Sequence, residues 1–351
     1  MNRQPDSAVL PTGKLPARQL EAMLSTLPRR DPRVLVGPQL GEDAAVLDMG
    51  ERCLVVSTDP VTFAADHIGW YAVHVNANDV AVMGARPRWF FAVLLLPEGA
   101  ATDAMVAGIM REIADACEAL GVTVCGGHTE ITTGLTRPVV TGQMLGEVSR
   151  QRLVRKADLR IGDLVLLTGG VAIEGTAILA REMAGLLRDR VPDPVLARGR
   201  EFLTDPGISV VRAALTAAEV GGVHAMHDPT EGGVLTGLHE LAAASGLGLR
   251  VYGDRIPVYA ETTAVCEALG IDPLGLIASG ALLIGAPASA CEGVAAALDA
   301  AQITVTHVGE VVPADEGVTI EREGVRRTLV PPARDELARV FETGRPSPGL
   351  A

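Results

Sequence analysis

The chain has 351 residues, 48% of them hydrophobic, which is enough for two domains with buried cores and excludes a disordered polypeptide. A formal net charge of −13 with no basic stripe argues against nonspecific nucleic-acid binding, so small-molecule chemistry is the better expectation. The five cysteines are odd in number and hold no C-x-x-C pair, so neither a disulfide framework nor a zinc knuckle is indicated and a reducing cytoplasm is expected. No apolar run approaches the roughly 20 residues of a membrane span.

In chain order, residues 1–12 are polar and Pro-punctuated, which predicts a tail. Leu20, Met23, Leu24 and Leu27 give residues 15–27 an amphipathic helical pattern that Pro28 ends. Strands are predicted at 44–47 and 53–58. Residues 68–83 form a helix with small or apolar residues on most faces, hence buried, and Gly84 stands where a C-cap glycine would. A strand at 90–96, an amphipathic helix at 102–120 stopped by Gly121, and strands at 122–125 and 139–147 complete the first half. The order β-β-α-β-α-β-β is an α+β pattern with a substantial sheet.

After the basic stretch 150–156 the chain begins afresh. Strands are predicted at 163–168, 222–226, 247–252, 282–285 and 304–311, and helices at 176–187, 207–221, 232–246 and 291–301. The charged, Pro-broken segment 186–196 reads as a surface excursion. The expected layout is a tail and short helix over 1–30, an N-terminal domain over 31–155, a C-terminal domain over 156–335 and a tail over 336–351.

The chemistry lies in acids set among small residues. Asp43 follows Gly41-Glu42 and opens an apolar run, while Asp59 follows the strand that ends at Thr58; two acids at strand mouths can converge on one ion. A turn or cap role is the bland reading of each. Asn78 and Asp79 interrupt an otherwise apolar helix, and a carboxylate there costs several kcal/mol unless a cation or strong donors meet it. An ion pair with an arginine such as Arg86 is the structural alternative.

Gly126-Gly127-His128-Thr129-Glu130 follows a strand, where glycines let backbone approach a phosphate and Glu130 adds an oxygen ligand. His227-Asp228-Pro229-Thr230-Glu231-Gly232-Gly233 precedes a helix whose start is an anion pocket or a plain cap. Zinc on His128, His67, His74, His224 and His227 is disfavoured, because their spacing is not compact and hard acids dominate. No Walker-type loop occurs. Lys14 and Lys156 are the only lysines, so a phosphate grip must lean on metal, backbone N–H groups and arginine.

Taken in order, Gly41–Val46, Thr58-Asp59, Asn78–Gly84 with Ala85-Arg86-Pro87, Gly126–Glu130 and Asp228–Gly233 resemble the AIR synthase (PurM)-like family. That family includes aminoimidazole ribonucleotide synthetase, selenophosphate synthetase, thiamine-monophosphate kinase and the hydrogenase maturation protein HypE. The HypE branch is nearest in wording, through residues 31–38, 78–87 and 226–233. The resemblance implies a homodimer whose N-terminal sheets pair into a barrel-like core, a C-terminal α/β sandwich, and ATP with Mg²⁺ near the interface.

By position the resemblance implies Asp43, Asp59 and Asp79 as magnesium ligands, helped by Glu130, with Asp79 and Asp228 as the catalytic acids. It places the nucleotide against Lys14, Asn78, Gly126, Gly127, His128 and Thr129, with Gly232 and Gly233 at the acceptor side. Three departures stand out: an ending Arg345–Ala351 in place of a Pro-Arg-Ile-Cys type tail, His128 where the hydrogenase branch carries Asp, and Glu231 where it carries Arg. The expectation is therefore an ATP- and Mg-dependent phosphoryl-transfer enzyme acting on a small-molecule or amide/carbamoyl acceptor. The alternative is a non-catalytic ATP-binding scaffold that docks a maturation partner protein.

Overall fold

The computed structural model describes residues 13–15, 17–28, 30–62, 64 and 66–343. The expectations for residues 1–12 and for the ending 345–351 lie outside them. The first half contains α1 (Ala17–Leu24), β1 (Val34–Val36), β2 (Ala45–Asp48), β3 (Arg52–Val61), α2 (Ile68–Val82), β4 (Arg86–Pro97), α3 (Asp103–Leu120), β5 (Thr123–Thr132) and β6 (Val139–Ser149). Its sheet runs β1-β2-β3-β6-β4-β5, antiparallel except for the β4/β5 pair.

The second half contains β7 (Leu164–Thr168), α4 (Ile173–Glu182), α5 (Ala184–Leu187), α6 (Asp193–Glu201), α7 (Val211–Val220), β8 (Ala225–His227), α8 (Gly233–Ser245) and β9 (Gly248–Tyr252). It continues with α9 (Ala260–Leu269), β10 (Leu283–Ala286), α10 (Ala288–Ala300), β11 (Val305–Val312), β12 (Val318–Arg322), β13 (Val325–Thr328) and α11 (Glu336–Thr343). Its sheet runs β13-β12-β9-β11-β7-β10-β8. The α+β class expected from the sequence is what the chain adopts.

Helix α2 is apolar on nearly every face because it is covered on every side. It packs on β3, β6 and β4 of its own sheet, beside α3, and under α7 of the second half. One apolar cluster therefore joins the halves, running from Val73, Val80 and Phe90 to Val210, Ala214 and Leu298. Thr102 caps α3 by accepting from the amide of Met105, and Gly121 ends it in the left-handed region, as its sequence predicts.

Several segments differ from expectation. The tail expected from residue 336 begins instead with helix α11, whose Leu337 and Val340 are buried in a core cluster of the second half. Residues 193–201 form helix α6, with Pro194 in its first turn and Leu196 buried, and Gly199 allows close approach to Thr176 and Ala180 of α4. The helix expected over 176–187 starts earlier and breaks at Met183. The strand expected to stop at Cys125 runs on through both glycines to Thr132. A Cβ on Gly127 would lie 1.8 Å from the Ala92 carbonyl oxygen of β4, so the glycine serves strand approach and not a turn. Among the described residues, no helix is long and apolar enough to cross a membrane.

Candidate functional site

Three polar side chains of α2 organise the floor of the site. Asn76 is buried and clasps the backbone of Asp59: its Oδ1 accepts from the Asp59 amide at 2.8 Å and its Nδ2 donates to the Asp59 carbonyl at 3.2 Å. Gly142 of β6 leaves room for this amide, since a Cβ there would stand 2.5 Å from Asn76 Nδ2. Asp79 accepts a hydrogen bond from Ser57 Oγ at 2.5 Å, which ties it to the strand that carries Asp59. Asn78 turns the other way. Its Nδ2 donates to the Ile208 carbonyl and its Oδ1 accepts from the Val210 amide, each at 2.8 Å. Asn78, expected to touch nucleotide, instead latches α2 to the second half, because both ends of its amide are engaged with backbone.

The second half brings Lys156, His227, Asp228 and Glu240 to the same place. Lys156 is fully buried, and its Nζ lies 2.7 Å from Asp43 Oδ2 and donates also to the Gly41 carbonyl. His227 stands between two carboxylates, with Nδ1 3.0 Å from Asp43 Oδ2 and Nε2 2.9 Å from Glu240 Oε2. Burial and the nearby Lys156 ammonium lower its pKa, but Asp43 and Glu240 outweigh them and raise it to about 9. His227 Nδ1 lies also 3.1 Å from Lys156 Nζ, so Asp43, Lys156 and His227 form one closed set of contacts. Burial would raise the pKa of Asp43, yet Lys156 and His227 prevail and hold it well below the carboxylate range.

Asp79 and Asp228 have no such help. Both oxygens of Asp228 are buried without a hydrogen-bond partner, and burial, with Asp43 as a like charge, pushes its pKa up to about 8. Burial also raises Asp79, and Asp228, Asp59 and Asp43 add to the effect. Among the described residues, no lysine or arginine pairs with either acid; Arg86 pairs with Glu219 at 3.5 Å, which removes the structural alternative for Asp79. Ligand atoms of Asp43, His227 and Asp228 lie within 4.8 Å of one another, a spacing at which one ion can be shared. Hard oxygens dominate this set, which suits Mg²⁺ better than Zn²⁺.

Of the residues singled out in the sequence, Asp43, Asp59, Asp79 and Asp228 come together, and Lys14 joins them. Its Nζ donates to Thr230 Oγ1 at 3.3 Å, with Glu240, Glu231, Asp43 and Asp59 as charged neighbours. Gly126, Gly127, His128, Thr129 and Glu130 do not join within one chain. Asp59 pairs with Gly142, Gly142 with Ala92 and Ala92 with Gly127, three strand spacings or roughly 14 Å across the sheet. There they lie exposed on edge strand β5, with His128 Nε2 3.5 Å from Glu130 Oε2.

The helix start at Gly232-Gly233 is also not the open anion pocket expected. The Gly232 amide donates to Asp335 Oδ2 at 2.5 Å and the Gly233 amide to the Thr230 carbonyl at 3.0 Å, so neither is free for a phosphate. Gly233 is required for another reason, since a Cβ would lie 2.3 Å from the Leu274 carbonyl oxygen. A cleft of about 490 Å³ lined by Arg52, Arg86, Arg88 and Arg152 lies at the far end of β3 from Asp59, roughly 23 Å along the strand, and is separate from the acids.

Sequence reasoning missed Ser57, Asn76, Lys156 and Glu240 as parts of the site, and gave His227 only a zinc role. The signal for Lys156 was present, since it is one of two lysines in a chain that otherwise uses arginine.

This fold and this convergence of acids define the family. The chain belongs to the AIR synthase related protein family: the N-terminal domain model matches residues 41–148 and the C-terminal domain model residues 160–321. The resemblance drawn from the motifs is thereby borne out. Carbamoyl dehydratase HypE of Escherichia coli K12 is 32% identical over 316 residues, spanning 85% of this chain and 89% of that protein. The crystal structure of E. coli HypE, a hydrogenase maturation protein, matches with a TM-score of 0.71 and 29% identity over 92% of this chain and 98% of that one. A HypE crystallised in complex with ATP shares the fold, with a TM-score of 0.69 and 24% identity over 91% of each chain.

Proposed function

We propose that this chain is an ATP- and Mg²⁺-dependent enzyme that activates a small-molecule or amide/carbamoyl acceptor by phosphoryl transfer. The observation that carries the reading is the pair Asp79 and Asp228, buried carboxyls beside Asp59 that no lysine or arginine of the described chain neutralises. Acids so placed are tolerable when a cation joins them. Membership of the family supports ATP as the ligand, and the fold is shared with a HypE that binds it.

Asp59, Asp79 and Asp228, with Asp43 beside them, would hold the metal, which supplies charge neutralisation at the phosphates when bound. Asn76 fixes the stretch of β3 from which Asp59 projects, inside the strand and not beyond its end as the sequence suggested, and Ser57 orients the Asp79 carboxyl. Lys14, whose Nζ donates to Thr230 Oγ1 beside the gathered acids, would meet phosphate oxygens once a nucleotide is bound. A homodimer would cover edge strand β5, whose Val124 and Ile131 are exposed, and light scattering of the purified protein tests it.

Calorimetric titration of ATP with and without Mg²⁺, against wild type and Asp79→Ala, tests the reading. Mg²⁺-dependent binding lost in the variant is expected; equal binding by the variant refutes it. Intact binding with no phosphate release in the presence of carbamoyl, formyl-amide, thiamine-phosphate or selenide acceptors would favour the scaffold role instead.

A further inference from the structure

Four arginines of an otherwise acidic chain meet at the end of the first sheet that lies away from the gathered acids. Strands β3, β6 and β4 run side by side there. Arg52 opens β3 opposite Ser149 of β6, and Arg86 of β4 stands opposite Glu147 on the other side of β6. Arg88 follows at the next exposed position of β4, with buried Pro87 between the two. Arg152 comes from the turn after β6. Its carbonyl oxygen would lie 2.7 Å from a Cβ on Gly84, and the Val154 amide donates to the Met83 carbonyl at 3.1 Å, so the backbone that carries Arg152 is seated on the end of α2.

Helix α7 closes the recess with the partly exposed side chains of Leu215 and Ala218, which puts both halves of the chain into the walls of a cleft of about 490 Å³. That volume suits a small organic molecule. Ion pairs do not consume the guanidinium groups. Arg52 reaches Glu147 at 3.4 Å and Arg86 reaches Glu219 at 3.5 Å, long and solvent-exposed pairs of the kind that contribute little. Among the described residues, neither Arg88 nor Arg152 forms an ion pair, although Glu51 also lines the cleft. The C-terminal ends of α2 and α7 favour nearby cations, but a helix end calls for neither a recess nor an apolar wall.

We propose that this cleft binds a small phosphate ester with an apolar body, the phosphate against Arg88 and Arg152 and the body against Leu215 and Ala218. Two unpaired guanidinium forks match a dianionic tetrahedral head, which presents several oxygens to planar sets of donors. The occupant touches both halves, so it ties α7 to the strands that surround α2. The site is separate from the acids, and the inference does not rest on the Mg²⁺–nucleotide reading.

The test is calorimetric titration of phenyl phosphate into the full chain in EDTA, comparing wild type, Arg88→Ala, Arg152→Ala and Asp79→Asn. Both arginines are exposed, so their variants should keep native circular dichroism. One site per chain is expected, with Kd raised about tenfold by either arginine substitution and unchanged in Asp79→Asn. Benzoate, which lacks the second charge, and inorganic phosphate, which lacks the apolar body, should each bind more weakly. Absence of saturable binding, an unchanged Kd in both arginine variants, or equal binding of benzoate overturns the inference. A Kd weakened by Asp79→Asn and not by the arginine variants would move the anion to the acids and overturn it as well. Mg²⁺-dependent ATP binding, measured on the same arginine variants, is expected to persist, so failure here leaves the nucleotide reading intact.

Discussion

Asn78 Nδ2 lies 2.8 Å from the Ile208 carbonyl oxygen, a hydrogen bond between the central helix of one half and the segment that leads into α7 of the other. With the Val210 amide held by Asn78 Oδ1, it satisfies two buried backbone groups that have no helix or strand partner. Asn78→Ala leaves both unsatisfied and is expected to destabilise the protein by about 2–5 kcal/mol, read as a lower urea midpoint at unchanged slope. Asn78→Asp sets a carboxylate against the Ile208 carbonyl and should do no better.

Gly127 makes a separate demand on the fold. An added Cβ would overlap the Ala92 carbonyl, so Gly127→Ala must prise β5 from β4. A loss of about 1–3 kcal/mol is expected, with faster hydrogen exchange along 123–132. Gly108, inside α3 with nothing within 4 Å of an added Cβ, is the control. Gly108→Ala should stabilise by about 0.5–1 kcal/mol.

Glu174, in the first turn of α4, is buried with Oε2 unpartnered, and burial, with Asp335 and Glu231 as like charges, pushes it from 4.5 to about 7. Between those values the unfolded chain releases the proton and the folded chain keeps it, so stability falls as pH rises from 4.5 to 7 and then levels. The loss amounts to about 3 kcal/mol. Glu174→Gln should remove this slope, measured by thermal denaturation across pH 4.5–8.

His74 carries the opposite slope. It is buried against Trp70, neither ring nitrogen has a partner, and burial lowers its pKa from 6.5 to about 4. The unfolded chain takes up a proton near pH 6.5 while the folded chain resists until about 4, so stability drops as pH falls through that window. His74→Leu should flatten the acid limb by about 3 kcal/mol.

Much of this molecule was legible in its sequence, for physical reasons that also mark where legibility ended. Asp79 stood out because a carboxylate in an all-apolar helix has few explanations, and α2 and α3 followed from periodicity and caps. The salt bridge of Lys156 to Asp43 left no local pattern, since its partners lie in different halves of the chain. Gly126-Gly127 misled because a glycine needed for strand approach and one needed for a turn look alike in sequence. Strands β12 and β13 escaped notice because both are short and charged: β12 alternates over only four residues, Val318 to Glu321, and β13 is exposed throughout.

The apolar cluster that α2 shares with α7 sets a limit on dissection of this protein. A fragment ending after β6 would leave one flank of α2 facing water where α7 now covers it. Limited proteolysis between residues 150 and 163 should therefore yield a nicked but associated pair, and separately expressed halves should recover native spectra only when mixed.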